Sequence, residues 1–190
     1  WIKEAAFLTP ITKAFGTDVG IDVAQLGIQI HGGMGFIEET GASQFLRDVR
    51  VTSIYEGTNG IQAMDLVSRK MMDEGEAAFS KLKEIELFIN ELSGDYKKMV
   101  AELQDALCEL RITTEWLLIQ PMNDRFSGAV NYLRFFARVL GGYYHLKAAS
   151  TEIHSKFRAK LADVYFSRLL TEYRGLSVSI RRGSNDIFAL

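Results

Sequence analysis

Cysteine, proline and histidine are scarce in this chain. Its 190 residues include one cysteine, two prolines and three histidines. A single cysteine cannot form a disulfide within the chain, which excludes a disulfide-rich scaffold. The same small set of thiol and imidazole groups provides no sensible zinc site. Because no run of 18 apolar residues occurs either, the sequence predicts no transmembrane helix.

Charge of either sign is not concentrated anywhere in the chain. There are 22 basic and 24 acidic residues, which give a net charge of −2. Without a polybasic region, the sequence does not indicate binding to nucleic acid or to an anionic membrane. Hydrophobic residues make up 47% of the chain, a composition typical of a globular protein with a real core and not of a disordered one.

Glycine content divides the chain near residue 70. Residues 1–60 contain nine of the 16 glycines, which indicates helices interrupted by shaped loops, whereas the later residues indicate long helices with short connections. No long alternating strand pattern is present, so we predict an all-α fold. The first residues lack an initiator methionine and are typical of the middle of a helix, so we expect a fragment of a longer protein.

Helical periodicity predicts the elements of the first region. We expect an opening helix that is disturbed at Pro10. A second helix begins near Thr17 or Asp18 and ends at the glycine pair that follows residue 31. Two further helices are predicted over about 42–52 and 59–72, the last one capped by the threonine that precedes it.

The second region has four predicted amphipathic helices. The apolar residues of these helices lie at about 79–92, 99–118, 130–143 and 157–170. The first of the four is predicted to end at Gly94. Four such helices in succession are typical of an antiparallel bundle. We therefore predict one helical domain over residues 1–72 and a second over 73–190.

Three short motifs lie between residues 25 and 70. They are Gln-Ile-His-Gly-Gly-Met-Gly-Phe at 29–36, Arg-Asp at 47–48, and Ile-Tyr-Glu-Gly-Thr at 54–58. In order and spacing they resemble the C-terminal helical domain of the acyl-CoA dehydrogenase family, over roughly residues 1–72. The rest of the chain resembles a larger subgroup of this family that carries an appended C-terminal helical domain.

Glu56 is the candidate catalytic residue. Taken alone, a glutamate between a tyrosine and a glycine could be a solvated loop residue. The resemblance implies that it is the base that removes the α-proton of an acyl-CoA thioester, a role that needs close placement and a raised pKa. Gly57 has no Cβ and would let substrate approach the backbone, so it is the candidate substrate-binding residue.

The resemblance also implies FAD as cofactor. Gln29 and Gly33 match positions that contact the FAD of a neighbouring subunit, and Gly32 supports this turn of the cofactor site. Thr58 and Asn59 match positions that contact FAD after the Glu-Gly pair. From the residues alone, the glycine turn could be no more than a helix C-cap. Unpaired amides at a helix start, as at residues 58–60, favour polar or anionic ligand groups in general.

Other polar residues have simpler structural interpretations. We expect Arg47 and Asp48 to form a local ion pair or an interhelical bond. Cys108, among leucines, is expected to be a buried small apolar residue. His145 and His154 have no acidic or thiol partners at ligand spacing and are interpreted as structural, and no metal site is predicted.

The resemblance implies an enzyme of fatty-acid oxidation type. The complete protein would desaturate acyl-CoA at the α,β position, with an electron-transferring flavoprotein as acceptor, as a homo-oligomer in the bacterial cytoplasm or the mitochondrial matrix. Residues 73–190 would contribute to subunit packing, to closing the acyl site or, least, to membrane contact. Two alternatives stay open: an acyl-CoA oxidase, and a non-catalytic helical oligomerisation module.

Overall fold

The protein is built from α-helices. The structure, a computed structural model, describes residues 2–92, 96–151 and 155–189, and no strand occurs in that part of the chain. The all-α prediction is confirmed. The described α-helices are α1 (Ile2–His31), α2 (Gly33–Phe36), α3 (Ala42–Arg50), α4 (Asn59–Val67), α5 (Glu76–Glu91), α6 (Lys97–Ile119), α7 (Met122–Ser127), α8 (Ala129–Ala149), α9 (Ser155–Arg168) and α10 (Tyr173–Ile180). Short 3₁₀ turns lie at Glu38–Thr40, Val51–Ser53, Arg69–Met71 and Leu170–Glu172.

α1 is one helix of 30 residues where the sequence predicted two. Pro10 lies inside it with a buried ring, and burial in the core offsets the backbone hydrogen bond that an internal proline removes. Thr17, expected to begin a new helix, donates its hydroxyl to the carbonyl of Lys13 at 2.9 Å. That bond is typical of a threonine within a helix, so the prediction of a break here was wrong.

One hydrophobic core joins the two regions of the chain. Phe7 of α1 packs edge-on against Phe136 of α8, with 5.0 Å between ring centroids. α8 is the central helix, since it contacts α1, α4, α6, α9 and α10. The buried residues of α1 and α4 belong to the same cluster as those of α5, α6 and α8. The predicted domain boundary near residue 72 therefore lies between helices that share a core.

The last predicted helix is divided in the structure. α9 ends at Arg168, and a 3₁₀ turn separates it from α10. Phe157 and Val164, predicted on the buried face, are exposed, whereas Tyr165 and Phe166 are buried. The aromatic pair is buried because it faces two adjacent glycines of α8 that leave room for it. The apolar residues of the predicted face and those of the buried face both recur at helical spacing, so periodicity alone could not show which face of α9 is buried.

Glycine 141 shows how closely α9 approaches α8. A Cβ added at Gly141 would lie 2.0 Å from the hydroxyl oxygen of Tyr165. That hydroxyl donates to the carbonyl of Arg138 at 3.0 Å. His145 stacks on the same tyrosine at 4.6 Å between centroids, and partial burial lowers its pKa, which supports a structural role. His154 and Gly94 lie outside the described residues.

Buried cations connect α1 with the later helices. Lys81 of α5 is buried and pairs with Glu4 of α1 and with Glu84 of its own helix. Arg138 of α8 donates to Glu172 at 2.7 Å, and its guanidinium lies 5.1 Å from the ring centroid of Phe15 in α1. A buried charge that loses its partner is costly, so these contacts fix α1 against the rest of the fold.

One smaller expectation was wrong, and a second holds with a different partner. Cys108 is exposed, because its neighbour Leu107 occupies the buried face of α6 and the next residue is rotated by about 100°. Arg47 does not pair with Asp48, since adjacent residues of a helix do not face each other. Its guanidinium instead lies 3.2 Å from a carboxylate oxygen of Glu38.

Candidate functional site

The Glu56-Gly57 turn, directly before α4, has unusual backbone geometry. Glu56 has φ of 54° and Gly57 has φ of 85°. The left-handed region costs a glutamate about 1–3 kcal/mol, and such strain persists only where the surroundings enforce it. Glycine tolerates this conformation. The turn leaves the Glu56 side chain exposed.

Two side chains hold the main chain of this turn. Gln62, one turn into α4, donates from Nε2 to the carbonyl of Glu56 at 2.9 Å. Lys13 of α1 donates from Nζ to the carbonyl of Gly57 at 2.7 Å. Because the two donors come from different helices, the turn is fixed both to α4 and to α1.

Asn59 attaches the start of α4 to α1. Its Nδ2 donates to Asp18 Oδ1 at 2.7 Å and to Thr17 Oγ1 at 2.9 Å. Its Oδ1 accepts from Lys13 Nζ at 2.9 Å. The amide side chain therefore faces α1, and the contact with FAD that the sequence predicted for Asn59 stays a prediction.

Thr58 caps α4 as the sequence predicted. Its hydroxyl oxygen accepts a hydrogen bond from the amide of Ile61 at 3.4 Å. The cap satisfies one of the amides that a helix start leaves unpaired. The side chain is exposed, which leaves room for a further contact.

The three glycines after α1 differ in what surrounds them. A Cβ on Gly35 would lie 2.3 Å from the carbonyl oxygen of Ile28, so packing within this chain requires glycine there. Gly32 has φ of 61°. At Gly33 a Cβ would meet nothing within 4 Å. The turn that contains Gly32 and Gly33 is exposed, and it is open to a group from outside the described part of the chain.

Gln29 is exposed near the end of α1. It lines an open groove of about 560 Å³ together with residues of α1 and with Leu46 of α3. Glu56 and Gly57 line another depression, of about 340 Å³. Since α1 rises about 1.5 Å per residue, roughly 18 Å separates Gln29 from Thr17, the residue that contacts Asn59. The candidate residues thus form two groups. One lies near the C-terminal end of α1, and the other lies beside the middle of the same helix.

Charged residues accompany Glu56 in its depression. Asp65 and Arg69 form a two-point ion pair, with distances of 2.6 and 2.9 Å. Hydrogen bonds from the guanidinium lower the pKa of Asp65. Lys70 lies 4.0 Å from the same carboxylate. Because Asp65 already neutralises these cations in part, the exposed carboxylate of Glu56 is the free acidic group of this depression.

Sequence reasoning missed Lys13 and Gln62 as parts of the site. Lys13 lies 44 residues before the carbonyl that it contacts, and no sequence spacing signals such a contact. Gln62 could have been found, because a side chain early in a helix can reach back to the preceding loop. The described residues contain no cluster that could hold a metal ion. No described helix is long and apolar enough to cross a membrane.

Two family models match successive parts of the chain. Residues 3–72 match the model described as "Acyl-CoA dehydrogenase, C-terminal domain". Residues 81–190, more than half of the chain, match "Acetyl-CoA dehydrogenase C-terminal like". The chain belongs to the acyl-CoA dehydrogenase family.

Relatives within this family are longer proteins. The 3-methylmercaptopropionyl-CoA dehydrogenase of Ruegeria pomeroyi is 40% identical in an alignment that covers 88% of this chain and 32% of that protein. The broad-specificity linear acyl-CoA dehydrogenase FadE5 of Mycobacterium tuberculosis is 27% identical, with 87% of this chain and 23% of that protein covered. The chain therefore spans a third or less of the length of these relatives.

A solved structure shares the fold. The acyl-CoA dehydrogenase of Bacillus anthracis, determined in complex with FAD, superimposes with a TM-score of 0.73 at 19% identity. The match covers 92% of this chain and 32% of that one. At this level of identity the likeness concerns the fold alone.

Proposed function

We propose that the complete protein is an FAD-dependent acyl-CoA dehydrogenase that introduces an α,β double bond into an acyl-CoA thioester. The observation that carries the proposal is Glu56, an exposed carboxylate on a strained turn whose two carbonyls are held by side chains from α1 and α4. The names of the relatives support the same class of reaction.

Glu56 is the base in this proposal. Its carboxylate takes the α-proton, and the pair of electrons left behind forms the double bond as a hydride leaves the β-carbon. The chemistry that bound FAD supplies is acceptance of that hydride. Because Glu56 is exposed in this chain, the apolar surroundings of the base would be completed by the bound acyl chain and cofactor.

Five residues would hold FAD in two groups. Gln29, Gly32 and Gly33 form one, and the open space at the glycine turn fits the close approach of a cofactor to the main chain. Thr58 and Asn59 form the other, at the start of α4. The family resemblance assigns the first group to the FAD of a neighbouring subunit, so the two groups would contact the cofactors of different subunits in a homo-oligomer.

Partners and compartment follow from the same proposal. An electron-transferring flavoprotein would reoxidise the enzyme, in the cytoplasm of a bacterium or in the mitochondrial matrix. Apolar side chains on the second half of α1, such as Leu26 and Ile30, are exposed in this chain. Exposed apolar surface of this kind marks an interaction site, which in the complete protein would be covered by another subunit or by the remainder of the same chain.

The test is replacement of Glu56 by glutamine in the complete holoenzyme. The amide is nearly isosteric but cannot accept a proton, so we expect at least about a 10²-fold slower bleaching of the flavin by acyl-CoA. FAD content should be unchanged. Glu74→Gln is the matched control, because Glu74 has the same left-handed backbone, with φ of 58°. Bleaching at the normal rate in Glu56→Gln would remove this residue from the mechanism.

The acyl-CoA substrate and the electron acceptor are identified with the unmodified holoenzyme. The panel should include 3-methylmercaptopropionyl-CoA beside straight-chain acyl-CoA thioesters, since a relative at 40% identity carries the former in its name. We expect turnover to require an artificial electron acceptor or electron-transferring flavoprotein. Stoichiometric hydrogen peroxide without either would identify an oxidase.

A further inference from the structure

We propose that Lys13 is a positioning residue for the base. Its ammonium group, carried by α1, holds the Gly57 carbonyl and the Asn59 side chain, and thereby sets the direction in which Glu56 points toward the substrate. This inference rests on the proposed role of Glu56. It assigns a function to a lysine that lies outside all three sequence motifs.

The contacts of Lys13 differ from those of the lysines that form ion pairs in this fold. Nζ lies 2.7 Å from the Gly57 carbonyl oxygen and 2.9 Å from Asn59 Oδ1. Both partners are neutral oxygens, whereas Lys3 and Lys81 pair with carboxylates. A charge-assisted hydrogen bond to a neutral oxygen is stronger than one between neutral groups. Lys13 is therefore placed to fix geometry and does not serve to neutralise charge.

The position of these contacts connects Lys13 with the strained backbone. Glu56 and Gly57 both have positive φ, and such a conformation requires that surrounding groups over-determine it. Gln62 holds the Glu56 carbonyl from within the same segment. Lys13 holds the next carbonyl from another helix, so it defines where the turn lies relative to the body of the protein.

The attachment of α1 to the core makes Lys13 a firm reference point. Ile11 and Ala14, on either side of it, are buried. Thr17 and Asp18, one turn later, hold Asn59 by separate hydrogen bonds. Loss of the ammonium would therefore free the Gly57 carbonyl while α4 remains attached to α1.

The experiment compares lysine variants of the complete holoenzyme. Lys13→Met removes the donor and keeps the length of the side chain, Lys13→Arg keeps a cation, and Lys3→Met is the control on the same helix. FAD content, melting temperature and the rate of flavin reduction at varied acyl-CoA are measured for each. We expect Lys13→Met to slow the rate at saturating substrate by roughly 10–100-fold, because small misplacement of a catalytic group has effects of this size.

The remaining readouts separate positioning from general stability. In Lys13→Met, FAD content and the half-saturating acyl-CoA concentration should match those of Lys3→Met, and Lys13→Arg should recover part of the rate. If Lys13→Met fails to fold, Lys13→Gln, which is too short to reach the carbonyl, takes its place. Failure of both to yield holoenzyme would show a structural role and overturn the inference.

Two outcomes distinguish this inference from the function on which it rests. If Glu56→Gln abolishes flavin reduction but the flavin of Lys13→Met is reduced as fast as that of Lys3→Met, the positioning role of Lys13 is overturned. The proposed role of Glu56 as the base is then retained. If Glu56→Gln reduces normally, the proposed function fails, and a slow Lys13→Met would then have another cause.

Discussion

Two glutamate-glycine turns in this chain share a backbone and differ in their surroundings. Glu56-Gly57 and Glu74-Gly75 both have left-handed residues, with φ of 54° and 85° in the first and 58° and 76° in the second. Gly75 is buried, and a Cβ there would lie 3.2 Å from Leu118 and 3.3 Å from the ring of Phe79. The first turn is exposed and is held by polar side chains.

The difference shows that strain alone does not identify a catalytic residue. The Glu74 turn joins the 3₁₀ turn after α4 to α5, and apolar packing over Gly75 explains its conformation. The Glu56 turn has no such packing, and its conformation is imposed by hydrogen bonds to two carbonyls. An exposed, polar-anchored strained turn is better explained by function than by folding.

Replacing the glycine of each turn by alanine tests most strongly how the surroundings of the two turns differ. Gly75→Ala places a Cβ in a left-handed, closely packed position, so we expect a loss of about 1–3 kcal/mol of unfolding free energy. In Gly57→Ala the added Cβ would lie 3.2 Å from the Gln62 amide nitrogen, which can move, and at an ordinary contact distance of 3.7 Å from Ile61. We expect Gly57→Ala to lose about 1–2 kcal/mol because of its left-handed backbone and to impair flavin reduction, which Gly75→Ala should leave unchanged.

Thermal melting of this chain and flavin bleaching of the complete protein, each with both variants, check this prediction. A shift of 1 kcal/mol corresponds to about 2–4 °C in Tm for a chain of this size. Equal losses of stability with equal losses of activity would show that the two turns are the same kind of feature.

Replacing either glutamate by glycine should raise the free energy of unfolding, by less than the alanine variants lower it. Removing the Cβ relieves the left-handed strain, so Glu74→Gly and Glu56→Gly should each gain about 0.5–1 kcal/mol. Only Glu56→Gly should abolish bleaching. Urea unfolding of both variants measures the gain, and destabilisation by Glu74→Gly would contradict the strain argument.

The sequence predicted the fold class because helical periodicity is a local property. α5, α6 and α8 lie close to their predicted ranges. The break predicted before Thr17 was wrong because local propensity does not include tertiary burial. The buried face of α9 was wrong because two stripes fit the same period, and the choice depends on Gly141 and its neighbour in α8.

The candidate site was predicted in part for a similar reason. The motif residues are contiguous in sequence, so their types and spacing can be recognised. The anchors of the turn cannot, because Lys13 acts across 44 residues. The direction of Asn59 toward α1 was also beyond local reasoning, since its partners Thr17 and Asp18 lie more than 40 residues earlier.

The smallest expected effect on stability is that of Gly33→Ala. A Cβ at Gly33 meets nothing within 4 Å, and the same holds for Gly16 in the middle of α1. Alanine at either position should therefore be neutral or should stabilise by up to about 1 kcal/mol. The two variants differ in what lies outside the chain: if FAD approaches the glycine turn, Gly33→Ala weakens FAD retention in the complete protein and Gly16→Ala does not. Flavin release on dilution, measured by fluorescence, tests this, and equal retention in both variants would remove Gly33 from the FAD site.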